Sequence, residues 1–338
     1  MSIYATIKNV FVTGADGMLG SNVVRELIRQ GYQPHCLVFP GRHTGTLDGL
    51  PVRIVSGDLM HTDSLEKAVE GCDAIIHVAA STAIWPGRNP QVMKVNLEGT
   101  RSMIEVAKKT GIRRFVHIGS ANSFAAGTVI RPGDEEGGYE NRKFQNNYID
   151  SKYLSQQLLL DEYQRNKFPV IILNPTFMIG PYDSGPSSGR MVLSVVQGKV
   201  PGFSRGVKNF VHAADVAVAA VNALQMGRLG HCYIAGHENM DYERFFRLVC
   251  SVAGIPFRLR YIPYPLVLTA GLFGSVWGRI SATPPKLSFG MARMSAIQQY
   301  YTPAKAVKEL QMPQTPVAEA VRDCLDWFQK HHHWTPEK

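Results

Sequence analysis

Tyr148 and Lys152 stand four residues apart in the run Tyr148-Ile149-Asp150-Ser151-Lys152. A helix turns every ~3.6 residues, so side chains at this spacing share a face and can touch. A phenol titrates near pH ~10 and is a poor acid or base at neutrality. An ammonium beside it favours the phenolate, lowers that pKa and makes proton transfer to or from a substrate oxygen feasible. On a solvated helix face the same pair does nothing. What separates the two readings is a glycine-rich loop near the other end of the same domain.

Lys8 to Thr13 is a short, apolar, β-branched run that reads as a strand. Gly14-Ala15-Asp16-Gly17-Met18-Leu19-Gly20 follows at once, and Ser21 to Gln30 then carries helical periodicity through Val23, Val24, Leu27 and Ile28. Strand, glycine turn and helix form the context of a dinucleotide fingerprint. The first glycine makes the tight turn, the second lets backbone approach a pyrophosphate, and the third lets helix pack on strand. The helix N-terminus offers its N–H groups to the anion.

The spacing G-x-x-G-x-x-G together with Y-x-x-x-K resembles the extended short-chain dehydrogenase/reductase superfamily, nearly end to end. Further matches stand in the family's order: Gly57-Asp58-Leu59, His77-Val78-Ala79-Ala80, Asn96 within Val95 to Thr100, Phe115 to Ala121 with Ser120, Asn174-Pro175-Thr176, and Phe210 to Val216. The resemblance implies that Gly14, Asp16, Gly17, Met18, Leu19, Gly20, Asp58, Leu59, Ala79, Ala80 and Pro175 border the cofactor, with Asp58 accepting from the adenine amino group. It implies that Tyr148 is the acid/base and that Ser120 orients the substrate oxygen. Lys152 would lower the Tyr148 pKa and hold the nicotinamide ribose, and Asn96 would support that lysine. For Asn96 the plain alternative is an asparagine that caps or bends a helix. Ser123 is the rival hydroxyl to Ser120. Asp134, Glu135 and Glu136 read as solvated.

Cofactor choice turns on the second strand, which ends Leu37-Val38-Phe39-Pro40-Gly41-Arg42-His43. An acid there would bind the ribose hydroxyls of NAD, whereas a base accommodates the extra phosphate of NADP. No carboxylate appears until Asp48, and Arg42 and His43 are within reach, so NADP is preferred over NAD. Phe39 stands where many relatives carry arginine.

Apolar runs at Val10–Val12, Pro34–Phe39, Val52–Val55, Ala74–Val78, Phe115–Ile118 and Val170–Leu173 alternate with helical patterns. This alternation predicts an α/β fold, a Rossmann-type doubly wound parallel sheet. A smaller, mostly helical C-terminal lobe for the substrate is expected beside it. The expected division is residues 1–174 for the dinucleotide with 206–236 returning to that domain, and residues 175–205 and 237–330 for the substrate lobe. Val211 to Leu224 reads as the return helix.

The 338 residues, 45% of them hydrophobic, can bury a large core. Five scattered cysteines without ligand spacing predict buried thiols in a reducing compartment and no metal site. The first strand begins within ten residues, which leaves no room for a signal peptide, so a cytoplasmic protein is expected. The charge of +9 is dispersed without aromatic-basic alternation, which argues against nucleic acid. Ile262 to Gly278 is free of charge but broken by proline and glycine; it reads as a buried or substrate-lining helix, with peripheral membrane contact a lesser option and no integral membrane segment. His331-His332-His333 reads as a polar tail.

Three functions share this equipment: a carbonyl reductase or alcohol dehydrogenase, a nucleotide-sugar epimerase or dehydratase with bound NAD, and a non-catalytic NAD(P) sensor. Tyr148, Lys152 and Ser120 together disfavour the third. Where nucleotide-sugar enzymes carry an Arg-Asp pair this chain has Lys208-Asn209, and lysine lacks the bidentate fork for a diphosphate. The second lobe is rich in Leu266, Leu268, Leu272, Phe273, Val276, Trp277, Phe289, Met291 and Met294, taken as core with a few lining an apolar pocket. Similarity to bacterial dihydroflavonol-reductase-like and 3β-hydroxysteroid-dehydrogenase-like proteins points the same way, to a small hydrophobic carbonyl substrate. A homodimer through the Tyr148 helix is expected, with Leu154, Leu158 and Leu159 available for it.

Overall fold

In the computed structural model, residues 6–42, 44–281 and 283–334 are described. The strands in chain order are β1 (Asn9–Thr13), β2 (Gln33–Val38), β3 (Arg53–Ser56), β4 (Ala74–His77), β5 (Arg114–Ile118), β6 (Val170–Pro175), β7 (Phe177–Ile179), β8 (Gly202–Phe203), β9 (Val207–His212), β10 (Cys232–Ala235), β11 (Glu238–Asp241) and β12 (Arg260–Tyr261). The helices are α1 (Met18–Arg29), α2 (Thr62–Val69), α3 (Pro90–Met93), α4 (Gly99–Lys109), α5 (Asn147–Asn166), α6 (Gly189–Val196), α7 (Ala213–Asn222), α8 (Tyr242–Ala253), α9 (Tyr264–Ile280), α10 (Phe289–Met294), α11 (Ala304–Leu310) and α12 (Val317–Lys330).

Among the described residues, seven strands form one parallel sheet in the order β10-β6-β5-β4-β1-β2-β3. This is the predicted Rossmann arrangement. Its central strands β1, β4, β5 and β6 are buried because both faces are covered, whereas the edge strand β3 is largely exposed. Alternate residues of one strand feed two cores: Val10 and Val12 join α1 and α7, whereas Phe11 joins α2, α4 and α5. A smaller sheet, β11-β9-β7, carries a third core with α6, α8 and α12, in which Phe210 and Phe245 stack with centroids 4.0 Å apart. Residues 207–212 are therefore strand, and the return helix begins only at Ala213.

The chain order reverses between β1 and its two neighbours, β2 on one side and β4 on the other. In such sheets the crevice for ligands lies there, beyond the carboxyl ends of the strands. The glycine loop leaves β1 at this point. Gly14 has φ +64°, and a Cβ on Gly20 would lie 2.0 Å from the Gly14 carbonyl oxygen. Only glycine lets α1 turn back so tightly on the strand it follows.

Three expectations are corrected. Glu135 is not solvated: it is half-buried, and its carboxylate accepts a hydrogen bond from the Ile234 N–H on β10, the sheet's edge, at 2.6 Å. That contact blunts an edge that would otherwise present bare backbone. His331 and His333 are no free tail, since both rings stack on Trp327, at 4.2 and 5.7 Å. Helix α9 exists, but Leu266, Leu272, Phe273, Val276 and Trp277 are exposed rather than core, and its buried residues are Val267, Gly271 and Gly278. Its inward face is made of glycine, which leaves the large side chains outside.

Gly20→Ala should destabilise the fold by about 1–3 kcal/mol, since backbone must move to admit the methyl group. Gly17→Ala, whose Cβ would meet nothing closer than 3.5 Å, should cost less than about 1 kcal/mol. Thermal denaturation of the two variants beside the wild type checks this contrast.

Candidate active site

Helix α5 starts where it does because Asn146 caps it, its side chain accepting from the N–H groups of Tyr148 and Ile149 at 3.0 and 3.3 Å. That cap puts Tyr148 in the first turn and Lys152 one turn later on the same face. Lys152 is buried, and its ammonium donates to the Ile118 carbonyl at the end of β5, at 2.8 Å. Burial pulls its pKa down to about 8. The Tyr148 phenol moves the other way: burial raises its pKa, so the expected depression by Lys152 is absent from this geometry. The reason is desolvation, which disfavours the charged form of both groups. At neutral pH Tyr148 is therefore a protonated phenol.

Ser120 follows β5, buried, and its hydroxyl accepts from the Asn122 N–H at 3.2 Å, so the hydroxyl hydrogen is not spent in that bond. The rival Ser123 is equally buried but does not line the cleft. Asn96 sits in a widened helical turn, Lys94–Glu98, and does not line the cleft either. Its amide accepts from the Ser81 N–H at 2.7 Å and donates to the Ser81 carbonyl and to the Ser151 hydroxyl, at 3.0 and 2.9 Å. Ser151 in turn donates to the Tyr148 carbonyl at 2.8 Å. Asn96 therefore reaches the Tyr148 turn through Ser151.

Sequence reading missed the other half of this network. Thr13 accepts at Oγ1 from the N–H groups of Val78 and Ala79, both at 3.1 Å, which occupies its lone pairs. Its hydroxyl must then donate to Nδ1 of His77, 2.8 Å away. Burial holds His77 down to about 3 and His117, its ring tilted 5.4 Å from that of His77, well below the usual histidine range, so both rings are neutral. The other His77 nitrogen then points its hydrogen at Thr100, at 3.5 Å, and Thr100 donates to the Asn96 carbonyl at 2.7 Å. The signal in the sequence was a threonine directly before Gly14 and a histidine ending the fourth apolar run.

A cleft of about 3130 Å³ runs over the strand ends. That is well above the ~300–1,000 Å³ of a single-ligand pocket, so two molecules fit side by side. Gly14, Asp16, Gly17, Met18, Leu19, Gly20, Arg42, Asp58, Leu59, Ala79, Ala80 and Pro175 all line it, as do Tyr148, Lys152 and Ser120. His43 lies outside the described residues. Asp48, the nearest carboxylate in sequence, also lines this end. Gly17 caps α1 without any side-chain hydrogen bond, and the first turn carries no acid. These are the conditions under which a helix start accepts a phosphate.

Residues 10–236 match the NAD dependent epimerase/dehydratase family. The chain belongs to that family. It is 32% identical over 329 residues to a provisionally named dihydroflavonol 4-reductase of Synechocystis sp., covering 95% of this chain and 94% of the other. It is 28% identical over 324 residues to sterol demethylase protein B of Methylococcus capsulatus, covering 94% and 98%. The crystal structure of gox2253 superposes with a TM-score of 0.85 at 29% identity, over 97% of this chain and 100% of that one. NAD(P) is the family's cofactor, and the glycine loop and helix start described above fit its pyrophosphate.

Beyond the family motifs, the site has features that no spacing announced. The Arg25 guanidinium lies 3.7 Å over the Tyr182 ring and donates to the Thr46 carbonyl at 2.8 Å, which straps the 181–188 loop to the dinucleotide side. Asp183 organises that loop by accepting from Ser187 and Gly189. Lys208 is half-buried, donates to Gln299 at 3.0 Å, and is pulled down to about 8 by desolvation. Asn209 also lines the cleft, and its amide is held by His237, Asn239 and Tyr301. Among the described residues no cluster of His, Cys, Asp or Glu converges in a way that could hold a metal ion.

Asn96→Ala leaves the Ser81 N–H and carbonyl without this partner and takes away the donor to the Ser151 hydroxyl, and should cost about 1–3 kcal/mol in thermal unfolding. Asn96→Asp keeps the acceptor for the Ser81 N–H but buries a carboxylate against the Ser81 carbonyl, and should cost at least as much.

Proposed function

We propose that this family member is an NAD(P)-dependent carbonyl reductase or secondary-alcohol dehydrogenase acting on a small, apolar substrate. The observation that carries this reading is the chemistry of the cleft wall on the second lobe. Phe177, Phe203, Phe246, Ile262, Met291 and Met294 line it, and the Lys208 ammonium there is engaged by Gln299 rather than presented in a fork for a diphosphate. The dihydroflavonol and sterol named for two relatives are of this apolar kind.

When bound, the dinucleotide supplies or takes up the hydride at nicotinamide C4. Tyr148, kept protonated by burial, gives its proton to the substrate oxygen in the reductive direction and takes it back in the oxidative one. Ser120 orients that oxygen by hydrogen bonding. Lys152 holds the ribose hydroxyls, and Asn96 positions the Tyr148 turn. Asp58 faces the adenine. Arg42, at the end of β2, favours NADP, and Asp48 nearby would serve NAD; the ratio of KM values for NADPH and NADH reads the outcome. Residues 1–174 with 206–236 carry the cofactor in this scheme, and 175–205 with 237–330 carry the substrate. A homodimer would use Leu154 and Leu158 on α5, since Leu159 is fully buried in the core.

Tyr148→Phe should lower NADPH-dependent reduction of aromatic or alicyclic ketones by about 10²-fold or more. NADPH binding, read by its fluorescence, should change little. Steady turnover of a UDP-sugar without net cofactor change would instead establish the epimerase reading and overturn this one.

Activity should also fall as pH rises through about 8, where Lys152 loses its proton. Unfolding is not the cause. Lys152 and Lys208 have folded pKa values near 8, below the unfolded ~10.4. Across that window the unfolded chain binds more protons, so the contribution of both groups to stability increases with pH. An alkaline loss of activity without a fall in Tm is the expected signature.

A further inference from the structure

Helix α9 is built inside out for a surface meant to face water. Leu266, Phe273, Trp277 and Ile280 are 61%, 70%, 67% and 74% exposed, and Leu272 and Val276 about half. At ~100° per residue, positions 266, 273, 277 and 280 form one ridge, with 272 and 276 beside it. The inward face explains the inversion. A Cβ on Gly271 would meet the Ala292 methyl at 2.6 Å, one on Gly274 the Leu287 carbonyl oxygen at 2.2 Å, and one on Gly278 the Pro285 ring at 2.9 Å. The helix is seated so closely on residues 283–292 that only glycine fits beneath it. Apolar side chains scattered singly over a surface need no explanation, but a contiguous ridge of six does.

Two further observations say what covers the ridge. From Arg244 to Lys308 the chain contains no aspartate or glutamate, while Arg258 and Arg260 shortly before α9 in the chain, Arg279 on it and Lys286 shortly after it are all exposed. The ridge is also continuous with the cleft: Leu266, Val267 and Ala270 on α9, with Pro285, Lys286 and Leu287 opposite, form part of its lining.

We propose that α9 and its basic surround dock this protein on an anionic lipid bilayer surface, with the mouth of the cleft opening at the interface to receive an amphiphilic ketone or alcohol from the membrane. The substrate clause rests on the reductase reading, whereas the docking does not. A two-fold contact with a second copy would bring one basic surround against another, so charge favours lipid. Among the described residues no helix is long and apolar enough to cross a membrane, and α9 therefore lies in the interface plane.

The test is co-sedimentation of the full chain with vesicles of phosphatidylcholine plus phosphatidylglycerol and of phosphatidylcholine alone. The wild type should pellet with the mixed vesicles and bind the neutral ones markedly less. Phe273→Gln/Trp277→Gln should weaken binding to the mixed vesicles about tenfold or more. Arg279→Gln should weaken it by about fivefold, and added salt should do the same. Because these side chains lie outside the core, the melting temperature of the double variant should match the wild type. Ile280→Gln is the second variant should the first fail to fold.

Wild type that stays in the supernatant with both vesicle types overturns the docking, as does a double variant that pellets undiminished. Sedimentation velocity showing a dimer that the double variant abolishes, with no vesicle binding, overturns it in favour of a second copy. Reduction of a water-soluble ketone by the double variant should equal that of the wild type. Failure of both proteins to reduce any ketone would sink the reductase reading while leaving the vesicle result to stand on its own.

Discussion

A buried chain of hydrogen bonds from β1 to the first turn of α5 sets the frame on which the cleft depends. It begins at the N–H groups of Val78 and Ala79, passes through Thr13, His77 and Thr100, and reaches Asn96, which binds Ser81 and Ser151. In a low-dielectric interior each of these groups would be costly if left alone, so the network is satisfied as a whole or disrupted as a whole. Its practical result is to hold the glycine loop, the end of β4 and the Tyr148 turn in register. Those three segments are distant in sequence and must converge on the same two small molecules.

The same burial decides the protonation of the reactive pair. Side-by-side tyrosine and lysine on a helix suggest mutual charge stabilisation, yet desolvation moves both groups toward neutrality. Lys152 finds its partner in a backbone carbonyl. Of the two, it is the lysine that burial brings close to the neutral range, to about 8, while the phenol moves further from it.

Glycine does opposite things at two places in this molecule. At Gly14 and Gly20 it brings α1 against β1 and so opens a helix start to the cleft. At Gly271, Gly274 and Gly278 it brings α9 against the loop before α10, and the large side chains that would normally fill a core are left outside. In both cases the controlling quantity is how closely backbone can approach backbone, and in both the result bears on what the cleft can receive.

The parallel sheet and the order of the motifs were legible in the sequence because their signals are local. An unbroken apolar run, a glycine turn and a four-residue helical spacing depend on a few neighbouring residues and on repeat distances that every chain obeys. Tyr148, Lys152 and the glycine loop were found that way, Ser120 through the family resemblance, and all of them line one cleft. What the sequence could not decide depends on long-range placement. The Thr13–His77–Thr100–Asn96 network joins residues whose types are common and whose spacing carries no period. Glu135 looks like any loop carboxylate until β10 arrives beside it. The direction of the Tyr148 pKa, and the outward face of an apolar helix, are set by what packs around them. Composition names the groups that are present; only the tertiary structure fixes which of them lose water and which face it.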